Sequence, residues 1–258
     1  MRLLIRLRCI EDSKYEMLYH YHLQGFIYNL LEGSKYDYVH DKEGYKFFCF
    51  SNIFPARDLV KNDLRTLIIS SPDSEFICHL NEMLSRQSNA ITIGSMKFKI
   101  DYVDKLDVRL PGNSPFTLIT GTPIIIRIPR EKYKAYGIDP KGKYDYVYWR
   151  SDHPIDLFIS QLENNLRKKY AEYFGFGNDN TAGLNVNGME RPPFLFQKFK
   201  FKKQVSTRVP MKGFDQVVIG TVWEFGFEAD VNRDMIQFAL DVGLGERNSL
   251  GFGFMNLK

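Results

Sequence analysis

Three residues in the first fifth of the chain have side chains that together could cleave a phosphodiester bond. Histidine moves protons near neutral pH, so His40 could serve as a general acid or base. Lys46 could stabilise charge on a pentavalent phosphate, and Tyr28 could position or help activate an attacking hydroxyl. Such a set needs no metal ion. Each residue also has an ordinary interpretation, because a lone histidine is more often structural, Tyr28 could be an amphipathic surface ring, and Lys46 a solvated charge.

The elements around these residues decide whether they can meet. Apolar residues at helical spacing predict a helix over residues 15–32, with a buried stripe that holds Leu23, Ile27 and Leu30. Tyr28 then lies on a different face of that helix, together with Tyr21 and Gln24. Lys46 opens a predicted strand over residues 45–51, rich in aromatic residues.

The last sixteen residues, GLGERNSLGFGFMNLK, hold a second candidate site. Glycine reaches positive φ at little steric cost and lets another backbone come close. We expect the loop to bind a phosphate backbone through Gly243, Gly245, Arg247, Asn248, Ser249, Gly251 and Gly253. A structural β-bulge turn is the alternative. A dinucleotide fingerprint is excluded, because its glycines must lie between a strand and an opening helix.

Positive charge is concentrated in two segments, although the net charge is only +4. One segment contains Arg127, Arg130, Lys132 and Lys134. The other, FQKFKFKK, places Phe199 and Phe201 on one face of a predicted strand and lysines on the other. Its candidate RNA-binding residues are Lys198, Lys200, Lys202 and Lys203. The alternative is a solvated lysine face over a core strand.

Several functional classes are excluded by the sequence. No H-E-x-x-H, P-loop or G-x-S-x-G motif is present, and His20 and His22 point about 200° apart on a helix, so they cannot share an ion. We therefore expect no metal site and no cofactor. No apolar run approaches the roughly 20 residues that span a bilayer. The alternating start MRLLIRLRC is unlike a signal peptide, so we expect a cytoplasmic protein without membrane contact.

The order of predicted elements is β-α-β-β-α-β, and the second half repeats it. This predicts an α+β protein built from tandem ferredoxin-like domains with a glycine-rich loop at the C-terminal end. Strands are predicted at about 90–106 and at 116–129, and the turn residues of VRLPGNSP between them indicate a boundary. The predicted domains are residues 1–112, with the candidate catalytic residues, and residues 113–258, with the basic strand and the glycine-rich loop.

The stretches MRLLIRL, HLQGFIYNLL and GLGERNSLGFGFMNL resemble the CRISPR-associated endoribonuclease that cuts precursor CRISPR RNA inside its repeats. This enzyme is a member of the repeat-associated mysterious protein superfamily. LQGFIYN, followed by YVH and YKFF, is similar to the branch of the family that uses a Tyr-His-Lys triad. By this resemblance the triad falls on Tyr28, His40 and Lys46, and the family fold is a tandem pair of ferredoxin-like domains.

The resemblance implies a metal-independent, sequence-specific endoribonuclease in which a 2′-hydroxyl attacks the adjacent phosphate. The products would be a 2′,3′-cyclic phosphate and a 5′-hydroxyl. It implies CRISPR repeat RNA as the partner, with possible transfer of the product to an effector complex. Two alternatives stay open: a non-catalytic RNA-binding subunit of an effector complex, and an unrelated protein–protein adaptor built on ferredoxin-like modules.

Overall fold

The structure is a computed structural model that describes residues 1–140, 144–176, 195–211 and 214–258. The long Gly- and Asn-rich loop predicted at 175–193 falls almost wholly outside the described residues. All statements below refer to the described part of the chain.

The first half is one antiparallel sheet with two helices. Its elements are β1 (Arg2–Cys9), α1 (Tyr19–Leu31), β2 (Cys49–Phe50), β3 (Leu64–Ser70), α2 (Ser74–Ser85), β4 (Ile91–Ile93) and β5 (Met96–Leu106). The strand order is β2-β3-β1-β5-β4. The sheet therefore has the neighbours of a β-α-β-β-α-β unit, with β4 added at one edge. Alternate residues of β1, from Leu3 to Cys9, are buried with the apolar residues of both helices.

The second half repeats this plan. Its elements are β6 (Phe116–Thr120), β7 (Arg127–Pro129), β8 (Tyr146–Tyr148), α3 (Ile155–Phe174), β9 (Lys198–Met211), β10 (Phe214–Phe227), α4 (Arg233–Val242) and β11 (Met255–Leu257). The main sheet has the order β11-β6-β10-β9, and β7 pairs only with β8. When the β7–β8 hairpin is left out of the second half and β4 is left out of the first, the two halves have the same order of elements along the chain and of strands across the sheet. The predicted α+β class is confirmed.

Three predicted strands differ from the structure. The strand at 45–51 is reduced to Cys49–Phe50, because Phe47 has a φ of 51°, which no strand tolerates. The strand at 90–106 is a hairpin, β4–β5, that turns at Gly94, where φ is 62°. The strand at 116–129 is split into β6 and β7, so that its end leaves the main sheet.

Each half has its own buried apolar cluster. The strands of the first sheet lie within residues 2–106 and those of the second within 116–257. The predicted boundary near residue 112 falls in the stretch between them. Asp73 caps α2 by accepting hydrogen bonds from the backbone N–H groups of Glu75 and Phe76, at 2.9 and 3.0 Å.

The two halves are joined by a buried arginine. Arg2 on β1 donates to the carbonyl oxygens of Leu240 and Met255 and to the side chain of Asn256. Its guanidinium also lies 4.7 Å from the centre of the Phe254 ring. The start of the first sheet is therefore fixed against the last strand of the second. None of the described helices has the length and apolar character needed to cross a membrane.

Candidate active site

Tyr28, His40 and Lys46 meet at one place, although they come from different elements. The Tyr28 and His40 rings lie edge to face with centroids 5.1 Å apart. The Lys46 Nζ lies 4.7 Å from the centre of the Tyr28 ring and donates a 2.7 Å hydrogen bond to the His40 carbonyl oxygen. The structure thus places the three residues in one cluster, while their chemical roles stay a prediction.

Local folding explains how the cluster forms. Tyr28 lies beside the buried stripe of α1 and packs partly against the first core. After α1 the chain makes a 3₁₀ turn over Asp37–Val39, and the His40 N–H closes that turn on the Asp37 carbonyl at 3.1 Å. The left-handed backbone of Phe47 then redirects the chain immediately after Lys46. These two turns bring His40 and Lys46 back to the face of α1 that carries Tyr28.

The His40 ring is the exposed member of the cluster, with 63% of its side chain accessible. Its Nδ1 lies 2.6 Å from an Asp41 carboxylate oxygen, which can only accept a hydrogen bond, so Nδ1 carries a proton. Nε2 has no partner among the described residues. It can therefore take a proton from a substrate, or give one to it, according to its own protonation state.

Burial shifts the pKa values of the two other residues of the cluster, Tyr28 and Lys46. Desolvation raises the pKa of the Tyr28 hydroxyl to about 12, with a small opposing effect of Ser249. This hydroxyl has no hydrogen bond of ordinary geometry among the described residues, although Ser249 lies near it. Desolvation also lowers the pKa of Lys46, against the attraction of Asp41. Near neutral pH, Tyr28 is therefore a phenol that can orient a hydroxyl and is disfavoured as a phenolate base.

The glycine-rich loop packs directly against the same helix. The amide of Gln24 on α1 donates to both the backbone oxygen and the hydroxyl of Ser249, each at 3.0 Å. One turn earlier, the His20 Nδ1 lies 2.8 Å from the Leu250 carbonyl oxygen. Tyr28 lies one turn after Gln24, so the loop and the Tyr-His-Lys cluster lie along one face of α1.

The glycines are needed for the shape of this loop. All four have φ between 71° and 86°, a region in which other residues are strained. A β-carbon on Gly253 would overlap the Leu244 carbonyl oxygen, and one on Gly251 would overlap the Phe50 ring. The glycines therefore let two stretches of the loop touch and let the loop rest on β2.

Among the predicted RNA-binding residues, Asn248 and Arg247 have side-chain contacts inside the protein. The Asn248 amide donates to the carbonyl oxygens of Leu244 and Phe252, at 3.0 and 2.9 Å, and so ties the two arms of the loop together. Arg247 donates through Nη2 to Gln216 at 2.6 Å. Its Nη1 is buried without a partner among the described residues, and its backbone is left-handed with a φ of 59°.

Lys169 on α3 was missed by the sequence reasoning. Its ammonium donates to the carbonyl oxygens of Gly243 and Gly245 and to Asn248 Oδ1, at 2.7, 3.0 and 2.9 Å. The side chain is 1% exposed, and burial lowers its pKa to about 7. A signal was present, because Lys169 continues the buried stripe of Leu162 and Leu166 at helical spacing.

The basic strand β9 carries the four predicted lysines on its exposed part. Lys198 pairs with Glu228, and Lys202 pairs with Glu224 at 2.5 Å. Lys258 shares Glu224, and the two lysines hold the pKa of that carboxyl down at about 2. Lys200 and Lys203 have no partner among the described residues.

The predicted alternation along β9 is interrupted at one position. Phe199 and Phe201 lie opposite Phe225 and Trp223 of β10 and contact the Trp223 ring edge-on, with centroids 6.0 and 5.2 Å apart. A β-bulge follows, so Lys202 has no direct partner in the register. The two phenylalanines thus share one face, as expected, whereas Lys202 is the extra residue of the bulge.

A pocket of about 330 Å³ is lined by Lys46 of the cluster and by residues 246–250 of the loop. Its charged lining residues are Lys46, Arg127, Lys169, Glu246 and Arg247. Glu246 forms an ion pair with Arg127 at 2.5 Å, so the remaining charge of the lining is positive. No group of three His, Cys, Asp or Glu side chains in the described part of the chain is arranged to hold a metal ion.

Residues 107–257 match the family model described as CRISPR associated protein Cas6, C-terminal. The whole chain is also 31% identical to a CRISPR-associated endoribonuclease Cas6 of Methanocaldococcus jannaschii, over 99% of both sequences. The chain belongs to the Cas6 family. A second relative, the Cas6 endoribonuclease of Haloferax mediterranei, is likewise 31% identical and is covered over 93% of its length.

Solved structures with the same fold span the full chain. A CRISPR associated protein Cas6 aligns with a TM-score of 0.68 at 21% identity, covering 99% of this chain and 98% of its own. A Cas6-related protein from Pyrococcus furiosus aligns with the same score and identity over 100% of this chain and 98% of its own. At such low identity the likeness concerns the fold alone.

Proposed function

We propose that this Cas6 family member is an endoribonuclease that cuts precursor CRISPR RNA within its repeats, and that it does so without a metal ion. The observation that carries the proposal is the convergence of Tyr28, His40 and Lys46 beside the glycine-rich loop. Two relatives at 31% identity are named CRISPR-associated endoribonucleases. We further propose that RNA binds across the loop and the lysines of β9.

The proposed reaction is an intramolecular transfer. The 2′-oxygen upstream of the cut attacks the adjacent phosphorus while the bond from phosphorus to the 5′-oxygen breaks. One proton leaves the 2′-hydroxyl and one reaches the departing 5′-oxygen. The products are a 2′,3′-cyclic phosphate and a 5′-hydroxyl. The need for a 2′-hydroxyl would make the enzyme selective for RNA over DNA.

Each residue has a role that fits its surroundings. His40 transfers a proton through Nε2, which has no hydrogen-bond partner among the described residues, while Asp41 fixes the tautomer. Lys46 stabilises the charge that builds on the phosphorane. Tyr28 orients the 2′-hydroxyl, because a phenol with a pKa of about 12 stays protonated near neutral pH and so offers almost no phenolate to act as a base.

The first test is cleavage of a labelled repeat RNA in EDTA. We expect the wild type to cut at one position and His40→Ala to bind the RNA but leave it intact. His22→Ala is the matched control, because His22 is an exposed histidine on α1 outside the cluster. If the wild type binds the RNA tightly but does not cut it, the protein is a non-catalytic RNA-binding subunit and the nuclease proposal is wrong.

A second test addresses the chemistry. A single 2′-deoxy nucleotide immediately upstream of the cut should abolish cleavage and leave the dissociation constant unchanged. Continued cutting of the deoxy substrate would show that the nucleophile is not the 2′-hydroxyl, and the mechanism would be wrong.

A further inference from the structure

The β7–β8 hairpin is inserted into the second copy of the repeated fold, and the face opposite its core contact carries one arginine and two tyrosines. In its antiparallel register, Arg127 is opposite Tyr148 and Ile128 is opposite Val147. Ile128 is fully buried and Val147 packs on the same core, so Arg127, Tyr146 and Tyr148 lie on the other side. We call these three residues the tyrosine–arginine face.

The face is held in place by the glycine-rich loop. The Glu246 carboxylate accepts a hydrogen bond from the Arg127 backbone N–H at 3.0 Å and pairs with its guanidinium at 2.5 Å. The Glu246 N–H in turn donates to the Ile125 carbonyl at 2.8 Å. Arg127 is fixed in this way, and its guanidinium lies 5.8 Å from the centre of the Tyr146 ring.

The face also leads to Arg247, which lies in the loop itself. Gln216 donates to the Tyr148 hydroxyl at 3.3 Å and accepts a hydrogen bond from Arg247 at 2.6 Å. With Arg127 and Tyr148 as cross-strand neighbours, these residues form a row in the order Tyr146, Arg127, Tyr148, Gln216 and Arg247. Arg127 and Arg247 both line the pocket that Lys46 also lines, so this row adjoins the Lys46 side of the proposed cleavage site.

The chemistry of the tyrosine–arginine face fits a single-stranded nucleic acid. Tyr146 is 54% exposed and Tyr144, just before β8, is 81% exposed. Exposed rings accept stacked bases of any sequence, and arginines between them meet phosphates. The basic residues Lys132 and Lys134 follow β7 in the chain and are exposed.

We propose that the tyrosine–arginine face binds a single-stranded segment of the RNA next to the cleavage site, with one base stacked on Tyr146. The proposal rests on the RNA-cleaving function proposed above and adds the surface that receives the flanking nucleotides. It gives a role to the basic segment at Arg127–Lys134 that the Tyr-His-Lys cluster leaves unexplained.

The test measures binding, with His40→Ala as the parent so that no substrate is cut. The probes are a fluorescent single-stranded RNA of the repeat beside the gene and an oligouridine of equal length. Adding Tyr146→Leu should weaken binding of both probes roughly five- to 150-fold, the range for one lost base stack. Adding Tyr146→Phe, which keeps the ring, should change the dissociation constant less than about twofold.

The matched control is Tyr102→Leu in the same parent. Tyr102 is 48% exposed and lies under Arg6, but it belongs to the first sheet. We expect it to leave the dissociation constant unchanged. Thermal melting of every variant shows whether it is folded, and Tyr146→Phe keeps the comparison informative if the leucine variant is not.

A scan of single abasic nucleotides locates the stacked base. At one position, removal of the base should weaken RNA binding by the parent as much as Tyr146→Leu does. The same removal should not weaken binding by the leucine variant any further. The proposal is overturned if Tyr146→Leu binds like the parent, if Tyr146→Phe loses as much as leucine, or if no such position exists. A wild type that fails to cut would instead remove the nuclease proposal and leave this binding result standing.

Discussion

Lys169 shows how a single side chain can fix the shape of a functional loop. An ammonium has three N–H donors, and the loop offers Lys169 three oxygen acceptors. Burial opposes the charged form and lowers the pKa of Lys169 to about 7, against the smaller effects of Cys49 and Glu246, which favour the charged form. The glycine-rich loop is therefore held from inside by a residue of α3.

We expect Lys169→Met to lower the free energy of unfolding by about 2–4 kcal/mol, because three buried oxygens lose their donor while a buried charge is removed. Lys168→Met is the control, since Lys168 is the exposed neighbour on the same helix, and it should change stability by less than about 0.5 kcal/mol. Urea unfolding measures both. Equal effects of the two substitutions would contradict the role assigned to Lys169.

At the scale of elements, the glycine-rich loop and α1 offer a direct comparison of two glycines. Gly253 has a φ of 72° and a backbone oxygen where a β-carbon would lie, whereas Gly25 in α1 has open space there. Gly253→Ala should destabilise the protein by about 3 kcal/mol or more through backbone strain and overlap. Gly25→Ala should stabilise it by about 1 kcal/mol, since alanine favours the helix. Denaturant midpoints of the two variants test this contrast.

The lysines of β9 differ in whether a carboxylate already neutralises them. Lys200 has no described partner, while Lys198 pairs with Glu228. If the strand tracks an RNA backbone, Lys200→Gln should reduce the slope of log affinity against log salt by about 0.7. Lys198→Gln should reduce it by less. Titrations of repeat RNA at several salt concentrations give the slopes, and identical slopes for both variants would argue against binding along this strand.

At the scale of the whole molecule, His20 couples the two halves. This buried ring on α1 stacks on Phe252 with centroids 4.9 Å apart and hydrogen-bonds to the Leu250 carbonyl. Desolvation lowers its pKa from 6.5 to about 4, against the smaller effect of that hydrogen bond. A neutral His20 is therefore part of the contact between the first helix and the last loop.

This shift predicts a loss of stability in acid. Between pH 6.5 and 4 the unfolded chain binds a proton that folded His20 does not, so the stability due to this group falls as the pH falls through that window. The loss approaches about 3 kcal/mol at pH 4. His20→Asn removes the ionisable group, so its unfolding free energy should vary less with pH across this window. Parallel pH profiles of the two proteins would contradict the prediction.

Much of this molecule follows from local pattern. The alternation of β1 and the stripe of α1 could be predicted because each depends on residues close in the chain. The repeated order of helices and strands gave the α+β class for the same reason. The strand at 45–51 could not be predicted in full. Its residue types are typical of strands, but the left-handed backbone at Phe47 interrupts the extended conformation.

The sequence by itself determined which residues could do chemistry, namely Tyr28, His40, Lys46 and the terminal glycines. Only the tertiary structure decided where they meet. It placed the last loop on the first helix, buried Lys169 beneath that loop, and directed Asn248 inward, where its amide ties the loop together. These are contacts between residues that lie far apart in the chain. They depend on how two sheets pack, and no periodicity along one segment encodes that packing.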